Sequence, residues 1–233
     1  MIYCFKKVAR AFTILALITI FLNGQSDFLF NNISVNDGLS ESTVKVVFED
    51  KDGFIYFGTE NGLDLYNGYE FESFQMNAFD TTTIFGNKIS TIYQSKKNKL
   101  WLGTELGVTV FNLNDRSFSR PSALRSTESQ DLANSDVIIE DDYDNIWLKI
   151  PTSGSIYRYN TSTNKTLCIN CSTNSEMSTA KGTYLYSDSN NGVWVGSENG
   201  LFRYNSQKNA VVKFSFSDDI NYSKVNAIKE GEI

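Results

Sequence analysis

Apolar residues fall in four short consecutive runs, each built around one large aromatic: Ile55-Tyr56-Phe57, Leu100-Trp101-Leu102, Ile146-Trp147-Leu148 and Val193-Trp194-Val195. Consecutive rather than alternating apolar positions predict a strand covered on both faces, as when one sheet is held between two others. The aromatic anchors lie 45, 46 and 47 residues apart. Such a period belongs to propeller blades or to stacked helical repeats.

The polar residues between the runs decide between these. Glu60-Asn61-Gly62 and Glu198-Asn199-Gly200 follow two of the anchors, and Asn-Gly between apolar runs is a strong hairpin signal. Partner strands are predicted at Leu63 to Tyr66, Val108 to Phe111, Ile156 to Tyr159 and Leu201 to Tyr204, each followed by an asparagine: Asn67, Asn112, Asn160 and Asn205. Those asparagines suit the next turn. β-Branched runs precede the anchors at Val44 to Phe48, Ile89 to Tyr93, Val137 to Ile139 and Thr183 to Tyr186, and a fourth segment is clearest at Tyr69 to Phe74 and Ala210 to Phe216.

Four short antiparallel strands per unit make a propeller blade. The expected fold is all-β, an incomplete β-propeller. Its blades lie at about 44–74, 89–119, 137–167 and 183–216, with a fifth beginning near 225 at Val225-Asn226-Ala227-Ile228. Phe28 to Val35 reads as an outer strand completing the last blade of a full ring. Gly58, Gly103 and Gly196, two residues past their anchors, are expected to let the adjacent blade approach while the aromatic fills the remaining gap.

Residues 1–25 change the compartment. Lys6, Lys7 and Arg10 precede an apolar run from Ala11 to Leu22, and Asn23-Gly24-Gln25-Ser26 is a small polar exit. This reads as a cleaved export signal, too short to span a bilayer comfortably. The exported part, 26–233, keeps 18 basic and 27 acidic residues, net −9, which argues against nucleic acid or an anionic membrane surface as a partner.

The chain has no histidine, so Ser-His-Asp triads, Cys-His pairs and histidine metal sites are excluded within it. No enzymatic activity and no cofactor are expected. Cys168 and Cys171 form a Cys-Ile-Asn-Cys pair that an oxidising compartment would allow to close as a disulfide, with free thiols as the alternative.

The stretch Ile33-Ser34-Val35-Asn36-Asp37-Gly38-Leu39-Ser40, then Val44, then Glu49-Asp50-Lys51-Asp52-Gly53-Phe54-Ile55-Tyr56-Phe57-Gly58-Thr59-Glu60-Asn61-Gly62-Leu63, ending Tyr66-Asn67-Gly68-Tyr69, resembles the first blade of the two-component regulator propeller family. The resemblance extends through blades two and four. Blade three departs, with Lys149-Ile150 in place of Gly-Thr, and Tyr56 stands for the usual tryptophan. The resemblance implies the periplasmic sensor of a hybrid two-component system, whose inner-membrane-anchored parent passes a carbohydrate signal to a histidine kinase. This chain would be the N-terminal input end. Its partners would be an oligosaccharide and the remaining blades or other subunits, with membrane contact only through C-terminal parts that it lacks. Two alternatives stand beside it: a structural or protein-interaction propeller, and a polysaccharide hydrolase or lyase.

Acidic clusters precede the anchors: Glu49, Asp50 and Asp52; Glu140, Asp141, Asp142 and Asp144; Asp188 with Asn190 and Asn191. Calcium binding or paired-acid catalysis is conceivable there, but recurrence at one blade position favours turn chemistry. Ligand contact is expected on the longest linkers, Gln75 to Lys88 and Pro121 to Asp136, joined by the turn Pro151-Thr152-Ser153-Gly154-Ser155. Phe79, Phe85, Asn87 and Arg125 are the candidate contacts there.

Overall fold

A computed structural model of the chain describes residues 32–124, 135, 137–151, 153–169, 184–214, 225 and 228. Residues 1–25, expected to be an export signal, lie outside them, as do Arg125, Cys171, Asn226 and Ala227.

Among the described residues sixteen strands form four separate four-stranded antiparallel sheets, each paired in simple sequential order. Blade one holds β1 (Val44–Glu49), β2 (Ile55–Thr59), β3 (Gly62–Tyr66) and β4 (Phe71–Phe74). Blade two holds β5 (Ile89–Gln94), β6 (Lys99–Thr104), β7 (Gly107–Asn112) and β8 (Ser117–Ser119). Blade three holds β9 (Val137–Glu140), β10 (Asn145–Lys149), β11 (Ile156–Asn160) and β12 (Lys165–Cys168). Blade four holds β13 (Tyr184–Ser187), β14 (Val193–Ser197), β15 (Gly200–Asn205) and β16 (Ala210–Lys213). The first strands pack side by side, β1 on β5, β5 on β9 and β9 on β13, so successive sheets meet along their inner edges.

The apolar core is a series of layers between blades. Tyr56, Leu63 and Leu65 of blade one pack with Ile89, Leu100 and Phe111 of blade two. Trp101, Val108 and Val110 of blade two pack with Ile138, Leu148 and Tyr159 of blade three. Trp147 and Ile156 join Leu185, Val195 and Phe202 of blade four. The anchor strands are accordingly covered on both faces, and all of β10 is buried.

A side-chain β-carbon at Gly58 would stand 2.5 Å from Val46 Cγ1 and 2.8 Å from Ile89 Cγ2, the opening residue of blade two. One at Gly103 would meet the Ser135 carbonyl oxygen, and one at Gly196 would lie 2.6 Å from Val225 Cγ1. Gly58 and Gly103 thus clear space for the chain entering the next blade, and Gly196 clears space for Val225. Val225 N–H donates to the Ser197 carbonyl at 2.9 Å, which is where a fifth blade was expected to open. The hydroxyl beside each glycine closes the following hairpin: Thr59 Oγ1 and Thr104 Oγ1 both donate at 2.9 Å, to the carbonyls of Gly62 and Gly107.

One expectation needs correcting. Of the segment Phe28 to Val35 only residues 32–35 are described, and they form no strand: Ser34 caps a 3-10 turn over Val35–Asp37, with Asp37 bonding back and Gly38 ending it. Ser-x-x-Asp is a capping signature, and it overrides the β-branched character of Ile33 and Val35.

Candidate functional site

Turn chemistry accounts for the acidic clusters. Asp50, Asp141 and Asp188 each lie six residues before an anchor. Asp50 Oδ1 accepts from the amides of Asp52 and Phe54, and Oδ2 accepts from Tyr56 Oη at 3.2 Å. Asp141 takes the amides of Tyr143 and Asn145 and, at 2.9 Å, Trp147 Nε1. Asp188 takes the amides of Asn190 and Gly192 and, at 2.6 Å, Trp194 Nε1. One carboxylate therefore closes the turn between first and second strands and also satisfies the polar tip of the anchor, which burial makes obligatory. The residue three before each anchor (Gly53, Asn98, Asp144 or Asn191) takes the left-handed conformation that this turn needs.

Burial and the neighbouring Asp50 carboxylate hold the Tyr56 phenol well above its ordinary range. At Asp188 desolvation pushes the carboxyl up. The bonds from Trp194, Gly192 and Asn190, with the nearby charge of Arg203, outweigh it and hold the group below the ordinary 3.8. A depressed carboxyl contributes stability above its unfolded-state value and loses it as pH falls through the folded-state value. Because solvent screens this partly exposed group, Asp188→Asn is expected to cost no more than about 0.5–1 kcal/mol at pH 7. Urea melts of both proteins should show that gap closing below about pH 4.

In blade two the same position is Ser95. Ser95 Oγ and Trp101 Nε1 are buried and have no hydrogen-bond partner among the described residues. The sequence carried this signal, six residues before Trp101, but only once the indole–carboxylate bond is known does the serine stand out.

The expected ligand end is built as the strand alternation predicts. The turn between second and third strands and the blade-to-blade linker meet there: Gly62 N–H donates to the Asn87 carbonyl at 2.7 Å. The Glu105 carboxylate accepts from the amides of Asn87 and Lys88. Glu60 accepts from Lys45 and Lys88, which holds its exposed carboxyl below the ordinary range. Such exposed pairs fix geometry more than they add stability.

Phe85 lines a cavity of about 320 Å³ with Met76, Asn77, Thr83, Ile84 and Arg120. The Arg120 guanidinium carbon stands 3.0 Å from the centre of the Phe85 ring. Arg120 was not among the sequence candidates, because its approach to Phe85 joins the two ends of blade two. Phe79 is 99 % exposed and stands apart from that cavity. The Asn87 side-chain oxygen accepts the Met76 amide at 2.7 Å, so it shapes the linker. Ser153 Oγ donates to Ser155 Oγ within the blade-three turn. Cys168 is disulfide-bonded.

The model of the two-component regulator propeller matches residues 38–61 and 83–105, the segments that carry the Tyr56 and Trp101 anchors. These two segments are similar to two-component regulator propeller repeats. The chain is 37 % identical over 59 residues to histidine kinase P4 of Formosa agariphila, a match covering 25 % of this chain and 4 % of the kinase. Among solved structures it resembles the extracellular domain of a hybrid two-component system from B. thetaiotaomicron. That match has a TM-score of 0.59 and 20 % identity, over 80 % of this chain and 23 % of the other. It also resembles a streptogramin B lyase, with a TM-score of 0.54 and 13 % identity, over 73 % of this chain and 55 % of the lyase. The chain thus spans a small part of the kinase and about a quarter of that extracellular domain. At these identities the structural likenesses establish the propeller fold. Among the described residues no helix is long and apolar enough to cross a membrane.

Proposed function

We propose that the chain is the extracytoplasmic input end of a two-component signalling protein, a non-catalytic propeller that binds a carbohydrate-derived ligand in the periplasm. The observation that carries this reading is the match of blades one and two to the regulator propeller. The likeness to a histidine kinase over 59 residues supports it. The ligand contacts are Phe85 and Arg120 at the cavity, with Phe79 as an exposed aromatic face nearby and Asn87 shaping the linker. An aromatic ring beside a cation suits a polar molecule with apolar ring faces.

Screening the purified chain on an array of oligosaccharides, then titrating the best ligand against Phe85→Ala, tests this. Saturable binding, weakened at least tenfold by the substitution and without product release, is the expected result. Product release would point to an enzyme, and silence across the array would remove carbohydrate recognition from this chain.

A further inference from the structure

A second cavity of about 320 Å³ lies between blades two and three. A volume in the range of small-molecule pockets, roughly 300 Å³ and upward, holds more than a single water. Ser95, Trp101, Glu140, Tyr159 and Thr161 are among its walls. All three buried side-chain polar atoms that lack a protein partner among the described residues belong to it: Ser95 Oγ, Trp101 Nε1 and Thr161 Oγ1. Ser95 is 2 % exposed and Trp101 3 %. A buried donor left unmet carries its full desolvation cost, and three such atoms in one cavity mark a place built for something to bond to.

The other blades say what is missing. Wherever the anchor's polar tip is satisfied, its partner is a carboxylate oxygen: Asp50, Asp141 or Asp188. In blade two serine removes that carboxylate and leaves the space it would fill. An indole N–H can only donate, so the occupant must bring an acceptor. Lys97, Lys99 and Arg120 line the same cavity against one acid, Glu140. Glu140 already accepts the Lys96 amide at 2.7 Å, and Lys97 pairs with Asp144 at 2.7 Å. The balance of charge favours an anion.

We propose that this cavity binds a small hydroxy-carboxylate, whose carboxylate takes the place that aspartate holds in the other blades. One carboxylate oxygen accepts from Trp101 Nε1. The Ser95 and Thr161 hydroxyls pair with the remaining oxygens, and Lys99 supplies the countercharge. The site shares Arg120 with the Phe85 cavity, but the variants that test it, at Ser95 and Lys99, lie outside the Phe85 cavity, so its failure and that of the carbohydrate reading are told apart.

Lactate, with glycerol as an uncharged control of similar size, is the probe. Lactate titrated into the ¹⁵N-labelled chain is expected to move the Trp101 indole N–H resonance, assigned through Trp101→Phe, and to leave those of Trp147 and Trp194 in place. Ser95→Asp restores the carboxylate from within. It is expected to raise Tm by about 2–4 °C and to abolish the lactate response. Lys99→Gln leaves the turn intact and is expected to weaken lactate binding at least threefold, which keeps the test open should S95D fold poorly. An equal response to glycerol, no response to lactate, or lactate binding unaltered in both variants would overturn the proposal.

Discussion

Replacing Trp147 by alanine is expected to remove about 3–5 kcal/mol of stability, read as a lowered urea midpoint by circular dichroism. Trp147 is fully buried. Its ring meets Tyr204 of blade four edge-on at 4.7 Å, and its Nε1 donates to Asp141. The truncation opens a cavity between two sheets and strips the Asp141 carboxylate of a partner. Folded domains have only about 5–15 kcal/mol in total, so this one change consumes much of the margin. Trp194→Ala is the internal comparison. Trp194 is half-buried and packs edge-on against Phe214 within its own blade, so its loss should cost clearly less. Equal losses at the two positions would mean that the anchors do not act through blade contacts.

Gly58→Val carries the second large effect, a loss of about 3 kcal/mol or more, because the added carbons enter the space of Val46 and Ile89. Ile89 is fully buried and lies on the next blade, so relief requires the two sheets to part. The control is Gly53→Ala, where nothing lies within 4 Å of the new carbon and only the left-handed backbone, φ +85°, resists. That change should cost about 1 kcal/mol. Matching costs at Gly58 and Gly53 would show that sheet separation is not what the glycine controls.

The spacing of Tyr56, Trp101, Trp147 and Trp194 made the blades legible, since a strand apolar at consecutive positions can be buried only between sheets. The turn asparagines were equally legible. Asn67 Oδ1 accepts from the Tyr69 and Glu70 amides, and Asn205 Oδ1 from that of Lys208. These are local contacts, two or three residues apart. What sequence did not show was long-range or dependent on a donor's exact reach. The stacking of Arg120 on Phe85 spans 35 residues. The indole–carboxylate bond spans only six, yet apolar pattern says nothing about where an indole nitrogen points. Nothing in the apolar pattern sets Ser95 apart for that reason. Ser34 and Asp37 spell a capping signature that is local and legible, and in the fold it prevails over the apolar residues beside it.

Hydrogen exchange at the three tryptophan indoles, followed by NMR, tests most directly the claim that the blades stack face to face with their anchors between them. The account predicts that the Trp147 indole exchanges only with global unfolding, that Trp101 is also strongly protected by burial, and that Trp194 exchanges faster than either. Three indoles exchanging at the rate of a solvent-exposed tryptophan would contradict it.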